Sequence, residues 1–342
     1  MLDDKESYGP DSDVVVSSRI RLARNFSKYP FPFRMSKEQG LKVLDEARES
    51  ILNNEKLSNE KFLFVDVNQL DSISKHVLVE KHLISPDLEE SQKDSGVIIS
   101  QDGIISIMIN EEDHLRLQCI FKGMNIDKAW NKCNELDNII GEKVDFAYSN
   151  DYGYLTCCPT NVGTGIRASA MLHLPALTMT GYIRSILEAC TKLNVAVRGL
   201  YGENSEASGN MFQISNQVTL GQSEEEIVSH ITRIIDQIIE QERVLRLELH
   251  KQNPYKFEDR VCRSFGLLCT ARIVSAEEAV KLLSDVRLGA NLGIIDDIDV
   301  NKVDELMVLI QPANLQKISG SLLNPYERDI KRAELIRKTL KG

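Results

Sequence analysis

Four separated segments bring together arginines, carboxylates, glycines and a cysteine in patterns that suit chemistry on a phosphate group. The first segment is Ser17-Ser18-Arg19-Ile20-Arg21, which follows an apolar run at residues 14–16. Arg19 and Arg21 alternate with an isoleucine, so on a strand both side chains point to the same face. Two guanidinium groups on one face suit a polyphosphate. Two solvated surface arginines would give the same pattern, and this segment alone favours that simpler interpretation.

The second segment concentrates charge directly after the apolar residues 104–109 and reads Asn110-Glu111-Glu112-Asp113-His114-Leu115-Arg116. Three carboxylates beside a histidine and an arginine are costly to bury unless they are paired. A carboxylate at the end of a strand can hold a guanidinium group or accept a proton from it. An exposed charged loop is the alternative, although the position after a buried strand argues against it.

The third segment runs from Cys157 to Arg167 and is rich in glycine, threonine and asparagine. We predict that it opens a helix over residues 165–174, whose N-terminal N–H groups could bind an anion. An anion site beside Cys158 would favour its thiolate form. Arg167 in the first helical turn would oppose the helix dipole, which indicates a ligand. A capped loop with a buried cysteine is the less favoured alternative.

The fourth segment, Arg198-Gly199-Leu200-Tyr201-Gly202-Glu203, follows a predicted strand over residues 195–197. Its two glycines favour a loop that could close an arginine and a carboxylate over a bound substrate. An ordinary connecting loop would look the same.

Composition limits the class of protein. Lysine and arginine total 41 and aspartate and glutamate total 51, a net charge of −10 that argues against general nucleic-acid binding. Seven cysteines without a CxxC pair argue against a disulfide framework or a zinc site. The chain shows neither a bilayer-length apolar run nor a signal peptide, so we expect a cytoplasmic protein.

Periodicity predicts two regions. Residues 1–253 mix strands and helices without regular β-α-β alternation, which is typical of an α+β domain on a mainly antiparallel sheet flanked by helices. Capping boxes at Ser36 and Ser223, a hairpin turn at Asp102-Gly103 and a helix ending at Gly141 are the clearest signals. Strands are expected near residues 144–148 and 154–157. Residues 254–342 read as an all-helical C-terminal domain.

Together the four segments resemble the phosphagen (guanidino) kinase family. The matching stretches read SSRIR, NEEDHLR, CPTNVGTGIR and RGLYGE, occur in the family's order, and are followed by a similar GNMFQISNQ. The resemblance covers residues 14–250 and implies that family's catalytic-domain fold. It also implies five arginines that hold the phosphates of ATP: Arg19, Arg21, Arg116, Arg167 and Arg198. Mg²⁺ would travel with the nucleotide, without a dedicated metal site in the protein.

The resemblance also assigns roles around the substrate. Glu112 matches the family's principal catalytic glutamate, and Glu203 matches a second one in arginine-specific members; both would contact the substrate guanidinium. Cys158 matches a reactive cysteine that adjusts the electrostatics near the substrate, without a covalent phosphoenzyme. His76 is similar in spacing to a histidine that contacts adenine, and an exposed helix histidine is the alternative.

Two differences from the small-guanidine kinases of the family favour a protein substrate. Those enzymes carry a helical domain of about a hundred residues before the SSRIR-like strand. Here that strand begins near residue 14, which would leave a more open site. The helical segment after residue 257 is similar instead to the bacterial protein-arginine kinases. The resemblance therefore implies an ATP-dependent kinase that phosphorylates arginine side chains of proteins and tags them for stress-related quality control and degradation.

The C-terminal region adds a regulatory expectation. Arg328-Asp329-Ile330-Lys331-Arg332-Ala333 resembles an RDxxRA segment that forms an allosteric phosphoarginine pocket in those kinases, with Arg328, Asp329 and Arg332 as its ligands. A salt-bridged helix surface is the alternative. The resemblance further implies a homodimer formed through these helices. It implies as partners an activating adaptor similar to McsA, a heat-shock repressor similar to CtsR and a Clp ATPase–protease.

Two other functions stay open at this point. A small-molecule guanidino kinase, such as an arginine kinase, is compatible with Glu203. A catalytically inactive phosphoarginine-binding adaptor is compatible with the C-terminal segment, whereas the presence of Glu112, Cys158 and the five arginines argues against it.

Overall fold

The computed structural model describes residues 9–199 and 207–341. Eight of its strands form one antiparallel sheet and two form a small hairpin. The strands are β1 (Val15–Arg24), β2 (Phe62–Asp66), β3 (Gly96–Ser100), β4 (Ile105–Ile109), β5 (Leu115–Lys122), β6 (Tyr148–Ser149), β7 (Gly153–Tyr154), β8 (Ile166–His173), β9 (Val195–Gly199) and β10 (Met211–Asn216). The order in the large sheet is β2-β3-β4-β5-β1-β8-β10-β9, so β5 and β1 lie in its middle and β8 is the next strand.

Helices cover one face of the sheet and form the C-terminal region. They are α1 (Lys37–Leu52), α2 (Ser72–Glu80), α3 (Pro86–Glu90), α4 (Ile126–Gly141), α5 (Pro175–Met179), α6 (Ile183–Lys192), α7 (Glu224–Gln252), α8 (Pro254–Thr270), α9 (Ala276–Asn291), α10 (Val300–Leu309), α11 (Pro312–Ser319) and α12 (Pro325–Lys341). Capping boxes start α1 at Ser36 and α7 at Ser223, as the sequence predicts. The structure describes no helix that is long and apolar enough to cross a membrane.

The main core lies between the sheet and helices α1, α4 and α7. Ile20 and Leu22 of β1 belong to the same buried cluster as Val43 of α1, Leu136 of α4 and Ile235 of α7. Because strand side chains alternate between the two faces, the odd-numbered neighbours on β1 point to the opposite side of the sheet. This opposite face is the one that carries the candidate site.

The C-terminal helices pack against the sheet region. Met211 of β10 belongs to the same apolar cluster as Phe257 of α8 and Leu283 of α9. The fully buried Arg287 of α9 donates to the carbonyl oxygens of Ser12 (2.7 Å) and Asp13 (2.8 Å). Although α7 ends at Gln252 and α8 begins at Pro254, the division into domains 1–253 and 254–342 stays a prediction.

The fold class is confirmed: a mainly antiparallel sheet is flanked by helices and followed by an all-helical C-terminal region. The hairpin at Asp102-Gly103 joins β3 and β4, with Gly103 at φ 72°. The strands expected at residues 144–148 and 154–157 are much shorter, because only the two-residue β6 and β7 form there.

The predicted helix over residues 165–174 is wrong, because this segment is strand β8. Its alanines, methionine and leucines suit a helix by propensity. Ile166, Ala168, Ala170 and Leu172 nevertheless alternate toward the core, and β8 pairs with both β1 and β10. Tertiary pairing overrides local propensity here. Arg167 therefore lies on a strand, and the argument from a helix dipole does not apply to it.

Candidate active site

Five arginines project from the face of the sheet opposite the core. Each alternates with core residues along its strand: Arg19 and Arg21 on β1, Arg116 on β5, Arg167 on β8 and Arg198 on β9. The segments that contain them are far apart in sequence, and only the strand order makes them neighbours. The structure therefore brings together the five arginines that the sequence singles out.

Strand register sets like charges opposite one another. Arg21 pairs across β1 and β8 directly with Arg167, and across β1 and β5 with Gln118. Arg116 lies two pairs further along β5, opposite Ala23. Like charges directly opposite on a sheet destabilise it, so this register is unfavourable without an additional anion.

Burial and mutual repulsion act on these guanidinium groups. Burial, with Arg116 and Arg167 nearby, lowers the pKa of Arg19 to about 9. Burial and neighbouring arginines, Arg19 first among them, hold the pKa of Arg21 well below its ordinary value. Burial and the charge of Arg198 also lower the pKa of Arg167. The groups stay positive near neutral pH, and their shared field suits a polyphosphate.

One carboxylate partly compensates this charge. Glu111, whose side chain is buried, forms an ion pair with Arg116. It also accepts hydrogen bonds from Ser85 Oγ (2.5 Å) and from the backbone N–H of Glu112 (3.2 Å). Its hydrogen bonds hold Glu111 in place as a counter-ion to Arg116, leaving Arg19, Arg21 and Arg167 available to an anion.

A cavity of about 370 Å³ opens beside these arginines. It combines a cationic end with an apolar part formed by Val79, Ile84 and Met108. The full lining consists of Arg19, Arg21, His76, Val79, Glu80, His82, Ile84, Ser85, Pro86, Met108, Arg116, Gln118, Gln311 and Pro312. A cavity with a cationic end and an apolar end has the shape and chemistry for a nucleotide.

Two histidines line this cavity, and only one was identified from the sequence. The Nδ1 atom of His76 lies 3.0 Å from a carboxylate oxygen of Glu89. Burial, with Arg19 and Arg21 nearby, lowers the pKa of His82 to about 4, so its ring is neutral at pH 7. Sequence reasoning missed His82. Its only local signal is its place between α2 and α3, next to Leu83-Ile84-Ser85.

A second cavity, of about 170 Å³, joins the arginines to the remaining predicted residues. Its lining includes Arg21, Arg116, Arg167, Glu112 and Cys158. Glu112 is exposed as a residue, but partial burial of its carboxyl group, with Asp113 and Glu111 nearby, raises its pKa. An acceptor carboxylate, a thiol and an anion site thus face one small space.

Buried polar residues connect the loops that carry Glu112 and Cys158. Asp113 Oδ1 accepts hydrogen bonds from Asn25 Nδ2 (2.6 Å) and from the backbone N–H of Cys157 (2.7 Å). His114 Nδ1 accepts from the backbone N–H of Phe26 (2.9 Å), and burial lowers the pKa of His114 to about 4. These contacts are structural, and they set the position of Glu112 relative to the cysteine loop.

Threonine side chains hold the loop that carries Cys158. Cys158 Sγ lies 3.0 Å from Thr160 Oγ1 at the start of a short 3-10 helix, Pro159–Asn161. Thr219 Oγ1 lies within hydrogen-bond distance of the carbonyl oxygens of Thr160 (2.9 Å) and Val162 (2.8 Å), which share its single proton. Burial raises the pKa of the neighbouring Cys157, which also contacts Asp113, so Cys157 stays a thiol.

Replacing Gly163 with alanine should destabilise this loop strongly. Gly163 has φ 111°, and a Cβ atom there would lie 2.3 Å from the carbonyl oxygen of Thr219. We expect the free energy of unfolding to fall by at least about 2 kcal/mol, measured by thermal or urea denaturation. The control is Gly266→Ala in α8, where a Cβ meets nothing within 4 Å. The control should raise stability by up to about 1 kcal/mol. Equal stability of both variants would contradict this account of the loop.

The remaining predicted residues lie elsewhere or outside the described part of the chain. Glu203 lies outside the described residues. Arg328, Asp329 and Arg332 lie on α12, and none of them lines either cavity formed by the residues that the structure describes. The buried Arg332 donates to the carbonyl oxygens of Ile310 (3.0 Å) and Val274 (3.0 Å) and pairs with Asp329. The phosphoarginine pocket stays a prediction.

Comparison with known proteins agrees with this geometry. Residues 42–245 match the model of the ATP:guanido phosphotransferase C-terminal catalytic domain. This match covers more than half of the chain, so the chain belongs to the ATP:guanido phosphotransferase family. The resemblance drawn from the four segments is therefore confirmed, and ATP is the phosphoryl donor that defines this class of enzyme.

The relatives narrow the class. Residues 254–342 match the protein-arginine kinase McsB C-terminal domain. A protein-arginine kinase of Caldanaerobacter subterraneus is 53% identical over 95% of this chain and 96% of that protein. That of Bacillus subtilis is 49% identical over 97% of this chain and 91% of that protein. Within the family, the chain belongs with the protein-arginine kinases.

Solved structures show the same catalytic fold. The duplicated taurocyamine kinase of Schistosoma mansoni, solved with transition-state-analogue components, matches with a TM-score of 0.60 and 28% identity. That match covers 67% of this chain but 33% of the duplicated one, so the chain spans about a third of its length. Lombricine kinase matches with a TM-score of 0.61 and 24% identity, over 69% of this chain and 68% of that one, which supports the fold.

Proposed function

We propose that this enzyme transfers the γ-phosphoryl group of ATP to arginine side chains of proteins. The observation that carries the proposal is the cavity of about 170 Å³ in which Glu112 and Cys158 face Arg21, Arg116 and Arg167. Such a space holds a guanidinium group and a phosphoryl group next to one another. The class of acceptor is proposed from the relatives. They are protein-arginine kinases, and this chain matches them over nearly their whole length.

The arginines bind and orient the triphosphate. Arg19, Arg21, Arg116, Arg167 and Arg198 would spread their charge over its oxygens, which stabilises the charge that develops during phosphoryl transfer. Binding of an anion also stabilises the arginine face, because it relieves the repulsion between Arg21 and Arg167. Mg²⁺ bound to the β- and γ-phosphates would neutralise further charge. It would be held mainly by phosphate oxygens and water, because Mg²⁺ keeps several waters and binds proteins largely through substrate phosphates.

Glu112 acts on the acceptor. A guanidinium group is a poor nucleophile, because its lone pairs are delocalised and it is protonated. We propose that Glu112 aligns the substrate guanidinium and accepts a proton from the attacking nitrogen as the N–P bond forms. Its raised pKa makes it a better base than an ordinary glutamate. Glu203 stays a predicted second carboxylate, and Cys158 a predicted modulator of the local electrostatics.

The base of ATP fits the apolar part of the cavity of about 370 Å³. His82 is neutral and lies close enough to Arg19 and Arg21 for their charges to lower its pKa. We therefore propose His82 as a further nucleotide-contacting histidine, while His76, which lines the same cavity, stays a predicted contact of adenine.

An open groove of about 680 Å³ leads to Glu112 and supports entry of an arginine carried by a polypeptide. Its charged lining consists of Asp87, Glu90, Lys93, Glu111 and Glu112, so its net charge is negative. A negative groove attracts a cationic side chain and its basic neighbours. No corresponding observation favours a free small guanidine.

We also propose an assembly, partners and a biological setting for the enzyme. Large apolar side chains are exposed in the C-terminal region, including Tyr255 (86%) on α8, Leu322 (80%) between α11 and α12, and Tyr326 (62%) on α12, which supports a homodimer formed through this region. An activating adaptor similar to McsA, a repressor similar to CtsR and a Clp ATPase–protease are the proposed partners. The proposed setting is the cytoplasm under protein-damaging stress.

Mg-ATP offered in parallel to free arginine and to an arginine-rich unfolded protein tests the proposed acceptor. We expect phosphorylated arginines in the protein and no phosphorylation of free arginine. The measurement is mass spectrometry under mild conditions, because the P–N bond is acid-labile. Phosphorylation of free arginine alone would overturn the assignment in favour of a small-guanidine kinase. No product with either acceptor, tested with and without an activating adaptor, would favour a binding protein.

A further inference from the structure

Helix α11 begins without a cap from its own sequence. Its N-cap residue is Gln311, which is not a favoured capping residue and whose side chain donates to the carbonyl oxygen of Met307 (2.9 Å). The first N–H groups of a helix need acceptors when they are not solvated. Here the acceptor comes from another part of the chain: the carboxylate of Glu80 accepts from the backbone N–H groups of Ala313 and Asn314, both at 2.8 Å.

Glu80 is placed to suit α11 and not its own helix. It is the last residue of α2, where a carboxylate opposes the helix dipole. At the N-terminus of α11 the same charge is favourable. The Glu80 side chain is 7% exposed and also accepts from Asn314 Nδ2 at 2.7 Å. A charge-assisted contact of this kind is stronger than an ordinary hydrogen bond.

Helix α11 forms part of the wall of the cavity of about 370 Å³. Gln311 and Pro312, at the start of α11, line that cavity together with the arginines and with Val79 of α2. The catalytic and C-terminal regions thus share the cavity to which the nucleotide is assigned. A second contact between α2 and α11, Lys317 Nζ to Ser74 Oγ at 3.1 Å, is exposed and contributes little by comparison.

We propose that Glu80 is a positioning residue through which the C-terminal helices determine the enzyme's affinity for adenine nucleotide. This inference rests on the proposed function only in placing the nucleotide in the cavity lined by Pro312. When Glu80 caps α11, the C-terminal wall is closed and the nucleotide contacts both regions. Linkage is reciprocal, so bound nucleotide strengthens the docking of α11 to the same extent. A ligand or partner that moves α11 would change nucleotide affinity without touching the arginines.

The test compares nucleotide binding and turnover in full-length variants. Glu80→Ala should weaken ADP binding, measured by calorimetry, by about tenfold. The KM for ATP should rise by a similar factor, while kcat at saturating ATP stays within about twofold. The matched control is Glu89→Gln, which removes the other carboxylate in contact with His76 but does not reach α11. ADP affinity of the control should stay within about twofold of wild type.

A second pair of variants tests the contact from the other side. Asn314→Asp sets a carboxylate against Glu80 and should weaken ADP binding to a similar degree, without any change in the catalytic region. In the double variant with Glu80→Gln, the new amide at position 80 can donate to the new carboxylate at position 314. ADP affinity should then recover by at least about threefold over Asn314→Asp alone.

Three outcomes would overturn the inference. These are unchanged ADP affinity in both Glu80→Ala and Asn314→Asp, an equal loss in Glu89→Gln, and a loss in kcat without a change in KM. In each case wild type would still bind ADP, so the proposed function would stand. Failure of wild type to bind ADP would instead remove the proposed function, and this inference with it.

Discussion

Replacing Glu112 with glutamine should lower the rate of phosphoryl transfer by about two to four powers of ten. The amide keeps the size of the side chain but cannot accept the proton that the substrate guanidinium must lose. Because Glu112 is exposed and only its carboxyl group is partly buried, the fold should be unchanged. The measurement is the single-turnover rate with a protein acceptor, together with a thermal unfolding curve.

The pH dependence gives this prediction a second measurement. Glu112 must be ionised to accept a proton, so activity is present above its pKa and is lost as pH falls through it. Burial and the carboxylates of Asp113 and Glu111 raise that pKa, so the acid limb of the rate profile should lie above the range of an ordinary glutamate. The limb should be absent from the residual activity of Glu112→Gln.

A matched control separates the role of Glu112 from a general loss of charge. Glu49 is an exposed glutamate on α1, and Glu49→Gln should leave the rate unchanged. A Glu112→Gln enzyme that retained more than about a tenth of the wild-type rate would remove Glu112 from the role of base.

Replacing Arg21 with methionine should abolish most activity and yet leave the free enzyme as stable as before, or more stable. Arg21 pairs directly with Arg167 across β1 and β8, and burial and neighbouring arginines lower its pKa. Removing one of the two charges relieves a repulsion of up to about 1 kcal/mol. Loss of one donor to the transition state should reduce kcat by about a hundredfold or more.

Thermal unfolding with and without ADP measures both effects. Nucleotide stabilises the state that binds it, so the increase in Tm on adding ADP should be smaller in Arg21→Met than in wild type. Arg263→Met removes an exposed arginine on α8 and should change neither activity nor the response to ADP. A large fall in the Tm of free Arg21→Met, with activity retained, would show that Arg21 supports the fold and not the ligand.

Much of the architecture follows from local patterns, because those patterns determine which face of an element is buried. The alternation of Arg19, Ile20 and Arg21 predicts two guanidinium groups on one side of a strand, and β1 has that arrangement. The signals at Ser36 and at Asp102-Gly103 depend on local hydrogen bonds and backbone angles, so they are equally readable from the sequence.

What the sequence did not predict depends on contacts between distant segments. Strand β8 looks helical by residue type, and only its two neighbours in the sheet make it a strand. The opposition of Arg21 and Arg167 depends on register, which residue type does not specify. Glu80 reads as an ordinary charged helix residue, since its partners on α11 lie more than two hundred positions further along the chain. His82 also has no distinctive local signal, because its role depends on the nearby arginines of β1.

The crowded arginine face implies a problem of selection inside a cell. A concentration of positive charge is neutralised by any polyanion, so inorganic polyphosphate, sugar phosphates and RNA would compete with ATP if charge alone governed occupancy. Discrimination must therefore come from the uncharged end of the same cavity, where Val79, Ile84 and Met108 can exclude water from an adenine ring but give nothing to a bare phosphate chain. Mutations in this apolar part should therefore change which cellular anions inhibit the enzyme. They should have a smaller effect on the rate of phosphoryl transfer.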